Sequence, residues 1–281
     1  MQSAAIKIEH LSFHYGERCA LDDVSWDVND GELFALLGPN GSGKTTLFNC
    51  ISGLYQPSEG DVVLVRDGQE QSLIGLRPDE VCRAGLSRTF QTIRLFPKMS
   101  VLENVLVGMH TTLSASTASA ALRTSSFRLE EHTAAEHAFT LLKFFGDHLA
   151  PRAEDFASNL SYANQRRLEL VRAMATGAEV LLLDEPAAGM NPNETEELIA
   201  DIVRIKELGR TVLLIEHDMV VIATISDRVV ALESGRKIAE GSFEEVRNSP
   251  RVIEAYLGRG AAGRAGDGIS DEGSSVSGDV L

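Results

Sequence analysis

The sequence predicts an α/β fold with a mixed sheet at its core, an antiparallel β subdomain near its N-terminal end and a helical subdomain inserted in its middle. Three observations carry this expectation. The apolar run Leu33-Phe34-Ala35-Leu36-Leu37 turns through a glycine-rich loop into Leu47-Phe48-Asn49-Cys50-Ile51, a buried strand passing directly into a helix. Two further apolar runs, at residues 180–183 and 211–215, flank a helical stripe and so form a βαβ unit. Between about residues 92 and 160 the strand patterning gives way to helical spacing.

Composition narrows the class. A chain of 281 residues with 43% hydrophobic and 24% charged residues can bury a sizeable core as one large domain with an appended subdomain. Its formal charge of −15, with no dense run of Lys or Arg, argues against a nucleic acid partner. Three widely spaced cysteines, Cys19, Cys50 and Cys82, without a C-x-x-C pair, indicate neither a disulfide framework nor a zinc site and fit a reducing cytosol. No apolar run is long enough to span a bilayer, and residues 1–5 lack a signal peptide's basic and apolar regions. Any membrane role is expected to be indirect.

Taken in order, residues 6–13 alternate apolar and polar with one slip near His10, and residues 21–28 form a second short strand pattern before the turn Asn29-Asp30-Gly31. Tyr15 stands at the end of the first strand, where a ring can stack on a base. Residues 61–65 read as a strand, Pro78 opens a short helix that stops near Gly85, and residues 86–90 read as a strand delivering Gln91. Ser100-Val101-Leu102-Glu103 is a capping box, and residues 130–145 carry apolar positions at helical spacing. The Ser/Thr/Ala-rich stretch between them, residues 111–126, reads as mobile or weakly helical. Asn191-Pro192-Asn193-Glu194 caps a helix whose buried stripe runs through Leu198, Ile199, Ile202 and Val203. Residues 228–232 and 237–240 form a strand pair about Ser234-Gly235, and helices follow at 243–247 and 252–257. Residues 5–258 are expected to form the folded domain and the Gly/Ser/Asp-rich residues 259–281 a disordered tail.

The chemistry concentrates in Gly38-Pro39-Asn40-Gly41-Ser42-Gly43-Lys44-Thr45-Thr46. Glycines let consecutive backbone N–H groups turn inward around an anion, and a helix N-terminus adds its partial positive charge. Lys44 can reach the β- and γ-phosphates and the Thr45 hydroxyl can ligate Mg²⁺, which makes the stretch a P-loop nucleotide triphosphate site. The strand at 180–183 delivers Asp184 and Glu185 at the sheet edge where α/β folds place ligands. One carboxylate can hold Mg²⁺ while the next polarises an attacking water. The following strand delivers Glu216-His217-Asp218 to the same edge, where His217 can hydrogen-bond a γ-phosphate. Gln91 can bind Mg²⁺ or water through its side-chain carbonyl.

With Leu160-Ser161-Tyr162-Ala163-Asn164-Gln165-Arg166-Arg167 lying shortly before the Asp184-Glu185 strand, residues 7–257 resemble the ATP-binding subunit of ABC transporters. The resemblance implies an ABC ATPase fold and Mg²⁺-dependent ATP hydrolysis. It makes Tyr15 the adenine-stacking aromatic, Gln91 the Q-loop, Ser161 the signature serine, Glu185 the catalytic glutamate and His217 the switch histidine, with Thr45, Gln91 and Asp184 around the metal. In that family the signature segment presents its amides to ATP bound on another subunit. Arg88-Thr89-Phe90-Gln91-Thr92-Ile93-Arg94-Leu95-Phe96, Glu185-Pro186-Ala187-Ala188-Gly189-Met190-Asn191-Pro192 and residues 250–258 are similar to the branched-chain amino-acid importer type. The implied partners are a second cassette, identical or paralogous, integral membrane permease subunits and, indirectly, a periplasmic or extracellular solute-binding protein. The implied place is the cytoplasmic face of the membrane, peripheral through the permease. A soluble ABC ATPase not coupled to transport, and a weakly active regulatory nucleotide-binding subunit, stand as alternatives.

Two local expectations follow. Arg94, Leu95 and Phe96 put an apolar pair beside a cation on a loop, which by resemblance a cytoplasmic helix of the permease covers. Ala163 stands where the family has glycine. Either the position has φ > 0 or close phosphate approach, and alanine slows hydrolysis about fivefold to tenfold, or it has negative φ and alanine is harmless.

Overall fold

The computed structural model describes residues 4–111 and 125–257. The tail at 259–281 and most of the 111–126 stretch lie outside the described residues.

The N-terminal strands β1 (Ala4–Tyr15), β2 (Arg18–Asn29), β4 (Glu59–Arg66) and β5 (Gln69–Ser72) form an antiparallel sheet in the order β2-β1-β4-β5. The break in alternation near His10 is a bulge: His10 has φ 51°, and the pairing of β1 shifts register on both of its edges there. β5 escapes a reading of hydrophobic pattern because all four of its residues, Gln69-Glu70-Gln71-Ser72, are exposed, so only backbone pairing to β4 defines it.

The second sheet follows the order β10-β9-β3-β8-β7-β6. Its strands are β3 (Leu33–Leu37), β6 (Leu86–Arg88), β7 (Val180–Asp184), β8 (Thr211–Ile215), β9 (Arg228–Glu233) and β10 (Arg236–Gly241). All pair in parallel except β10, which runs antiparallel to β9, so the sheet is mixed as expected. β3, β7 and β8 are buried along their whole length, which is why they read as unbroken apolar runs.

Alternate residues of these strands enter different cores. Phe34, Leu36, Leu182 and Leu213 pack with the antiparallel sheet and with helix α1 (Lys44–Ile51). Leu33, Leu181, Leu183 and Leu214 face the helices α3 (Val101–Gly108), α4 (Ser125–Phe144), α5 (Tyr162–Ala175) and α6 (Pro192–Glu207). Helix α2 (Pro78–Ala84) precedes β6. The capping boxes at Ser100/Glu103 and Asn191/Glu194 form as expected. Helix α7 (Met219–Ile225), capped by Asp218, is a β-branched run whose helical state was not legible by pattern. Helices α8 (Phe243–Arg247) and α9 (Pro250–Leu257) complete the described chain.

Candidate active site

The phosphate loop leaves the end of β3 and enters α1, with Gly38, Gly41 and Gly43 all at positive φ. Only glycine fits at Gly43: a Cβ there would lie 2.7 Å from the Ala20 carbonyl oxygen and 2.9 Å from Leu21 Cδ2. Residues 40–46 line a cavity of about 430 Å³ together with Tyr15, Glu185 and His217. Three strand ends, those of β1, β7 and β8, thus bring their predicted residues to one place. Gly38 and Pro39 do not line this cavity; their carbonyl oxygens accept the Lys44 ammonium at 2.6 and 3.1 Å. Burial pushes the Lys44 pKa down, opposed by the nearby charges of Glu185 and Asp184.

Tyr15 closes one end of the cavity. Its ring is 48% exposed, stands edge-on to Phe13 and Tyr55, and carries its hydroxyl 3.4 Å from the Thr46 hydroxyl. At the other end Glu185 adopts φ 48°, a left-handed backbone that costs a non-glycine residue about 1–3 kcal/mol and is found where function over-determines geometry. Its carboxylate accepts Gln91 Nε2 at 2.8 Å on one oxygen and lies 2.7 Å from His217 Nε2 on the other. Two of the residues assigned to catalysis, Gln91 and His217, therefore meet on the third, Glu185.

Thr45, Gln91 and Asp184 line a second, adjoining cavity of about 370 Å³. A hydroxyl, a carboxamide and one carboxylate are hard oxygen donors of the kind Mg²⁺ takes alongside substrate phosphates and water. Among the described residues no group of three His, Cys, Asp or Glu side chains is placed to hold a metal. The donor set thus fits a cation shared with a nucleotide rather than one caged by protein. Ser42 Oγ points the same way, being buried without a hydrogen-bond partner in the phosphate loop.

Sequence reasoning missed several supporting groups. Arg88, 5% exposed at its side chain, donates to Asp184 at 2.7 Å and to Asn49 at 2.7 Å, so the carboxylate expected to hold the metal is oriented by a buried cation. Arg166 on α5 donates to the Phe90 carbonyl at 2.6 Å and also to that of Gln91, tying the Q-loop backbone to the signature helix. Glu216 is buried, its pKa raised by desolvation, and accepts the Ala187 and His217 backbone N–H groups at 2.9 and 3.0 Å. Arg18, Cys19, Ala20 and Ser234 also line the nucleotide cavity. Position in the first hairpin, one turn beyond Tyr15, was the available signal for Arg18; nothing local marked Arg166.

Ser161 and Ala163 do not line the cavity of their own chain. Ser161 is the N-cap of α5, its hydroxyl accepting Asn164 N–H at 3.4 Å, and is exposed. Ala163 is helical and 2% exposed, and among the described residues the ones other than glycine with positive φ are His10, Asp23, Asp67, Glu185 and Ser234. The strained-backbone reading of Ala163 is therefore overturned: a helical position accepts alanine without penalty.

The expectation of an exposed apolar pair at the Q-loop needs correction as well. Leu95 packs against the helical core, and the Arg94 guanidinium lies 3.7 Å from the Phe90 ring centroid. Of the apolar pair, Phe96 alone is exposed, at 46%.

With this geometry in view, comparisons with known proteins agree. Residues 21–188 match the ABC transporter family model, and residues 236–262 match that of the branched-chain amino acid ATP-binding cassette transporter. The chain is 43% identical over 259 residues to the high-affinity branched-chain amino acid transport ATP-binding protein LivG of Salmonella typhimurium, covering 92% of this chain and 99% of LivG. Its fold is similar to the ADP conformation of the cassette MJ1267, with TM-score 0.77, 31% identity and coverage of 91% and 99% of the two chains. It is similar also to a dimeric post-hydrolysis state of the cassette MJ0796 bound to ADP and Pi, with TM-score 0.68, 25% identity and coverage of 85% and 98%. The chain belongs to the ABC transporter family and is an ATP-hydrolysing, energy-coupling subunit of that family.

Proposed function

We propose that this cassette drives the import of branched-chain or closely related small amino acids, hydrolysing ATP at the edge formed by the phosphate loop, β7 and β8. The observation that carries the catalytic part is the Glu185 carboxylate held between Gln91 and His217 beside the phosphate loop. Held at both oxygens, it points at one place and can polarise a water there in line with a γ-phosphate. Lys44 and the amides of residues 40–46 stabilise the charge that develops on the phosphoryl oxygens. Lys44 starts on the Gly38 and Pro39 carbonyls and exchanges them for phosphate oxygens. Thr45, Asp184 and Gln91 would hold Mg²⁺, which supplies further neutralisation of phosphate charge when bound. His217 keeps Glu185 oriented and can donate to the γ-phosphate, and Tyr15 offers its ring to the adenine.

Ser161 and the amide of Ala163 open α5 toward a second cassette, where they complete that subunit's nucleotide site. The subunit docks on integral permease subunits at the cytoplasmic face of the membrane; among the described residues no helix is long and apolar enough to cross a bilayer. Phe96, Val107 and Arg172 line a groove of about 330 Å³ suited to a permease helix. A solute-binding protein outside the membrane would deliver the amino acid. Import specificity is supported by the C-terminal family match and by likeness to LivG. The test is reconstitution with permease subunits of a branched-chain amino-acid importer from the same organism. Leucine, isoleucine or valine with the cognate binding protein should stimulate ATP hydrolysis, whereas stimulation only by chemically unrelated solutes would overturn the import reading.

A further inference from the structure

The phosphate loop is also gripped from a part of the chain far from the catalytic groups. Gly38, its first residue, is buried, and its backbone N–H donates to the Tyr256 hydroxyl oxygen at 3.0 Å, across 218 positions of sequence. The carbonyl of the same residue accepts the Lys44 ammonium at 2.6 Å. A side chain at Gly38 has no room, since a Cβ would lie 2.3 Å from the Leu232 carbonyl oxygen and 2.6 Å from Ser42 Oγ. Tyr256 is on α9, which is anchored by Val252 in the same apolar cluster as Ala35 and Leu37 of β3. The helix and the strand that launches the loop are thus one packed unit. A tyrosine kept for packing buries its ring, yet Tyr256 is 41% exposed while its hydroxyl reaches a buried N–H. Burial pushes the phenol pKa up, so the oxygen stays a neutral acceptor.

We propose that Tyr256 is a positioning residue for the phosphate loop: the C-terminal helix pins Gly38 by its N–H and, through the Gly38 carbonyl, sets where the Lys44 ammonium waits for the phosphates of ATP. The inference rests on the phosphate-loop reading of Lys44. It gives the C-terminal segment, otherwise remote from the chemistry, a direct hold on nucleotide affinity.

The test uses the full chain with Tyr256→Phe, which deletes only the hydroxyl, Tyr256→Leu, which also removes the ring, and Lys44→Ala as the control on the site. Affinity for a fluorescent ATP analogue, KM and kcat for ATP hydrolysis, and thermal unfolding are measured for each. Loss of one partner of a buried N–H should weaken nucleotide affinity about fivefold, and raise KM more than it lowers kcat, equally in the Phe and Leu variants. Wild-type affinity restored by Tyr256→Phe relative to Tyr256→Leu would reduce Tyr256 to packing and overturn the proposal, provided that Lys44→Ala loses nucleotide binding. Retention of wild-type affinity by Lys44→Ala would instead overturn the phosphate-loop reading and the inference with it.

Discussion

The nucleotide cavity and the start of α5 are both loops running into helices, yet they differ in how completely their own chain occupies them. At the cavity the charged groups already have partners in their own chain: Lys44 rests on two carbonyls, Glu185 on Gln91 and His217, Asp184 on Arg88. At the start of α5, Ser161 and Tyr162 are exposed and the Ser161 hydroxyl serves only the helix cap. One region gathers its candidate reacting groups within one chain; the other is an exposed helix N-terminus, favourable to anions. Under the proposed function, the difference marks where the chain would depend on a second cassette: the candidate hydrolytic groups meet within one chain, and the start of α5 is left for another surface.

The sharpest way to break this comparison is at Glu185. Glu185→Gln keeps both hydrogen-bonding positions but cannot polarise water as a carboxylate does, so steady-state hydrolysis should fall about a hundredfold or more while ATP binding persists. Turnover within a factor of two of wild type would remove Glu185 from the chemistry of this cavity. On the helical side, Arg167 is buried at 2% exposure and held by Asp201 at 2.8 Å, Glu197 at 2.7 Å and Asn164 at 2.9 Å, which binds α5 to α6. Asp201→Ala strips a buried cation of its best-buried partner and should cost about 2 kcal/mol in urea unfolding, below the full penalty for an unpaired buried charge because two partners remain. An unchanged midpoint would show that Glu197 and Asn164 suffice.

Phe96→Ser tests whether the groove beside the helices is an occupied surface. Loss of one exposed aromatic anchor should weaken recovery of the permease complex about tenfold, with thermal unfolding of the isolated subunit as the control on folding. Equal recovery would detach Phe96 from docking. The smallest effect is expected at Ala163. Glycine in the first turn of α5 removes a buried methyl and costs up to about 1 kcal/mol of stability, and single-turnover hydrolysis should stay level or drop. A rise in that rate would show that the alanine hinders close approach of the partner's phosphate despite its helical backbone.

Much of the catalytic edge could be read by eye because parallel strands buried on both faces must be continuous apolar runs, and whatever interrupts them marks the carboxyl edge of the sheet. Asp184, Glu185 and His217 all appear as such interruptions. The bulge at His10 was legible too, as a break in a period of two. The fully polar strand β5 and the β-branched helix α7 were not, since exposure removes the pattern in the first and an Asp218 cap outweighs propensity in the second.

By itself the sequence determined the α/β order, the glycine-rich loop and the strand-end positions of its candidate reacting groups, because each rests on local chemistry: glycine backbone freedom, strand periodicity, side chains at strand ends. Only the tertiary structure decided that Arg88 orients Asp184, that Arg166 holds the Q-loop, that Ala163 is helical, and that Tyr256 reaches back to Gly38. Those side-chain contacts join residues 75 to 218 positions apart, and buried polar groups find such partners through packing that no local pattern encodes.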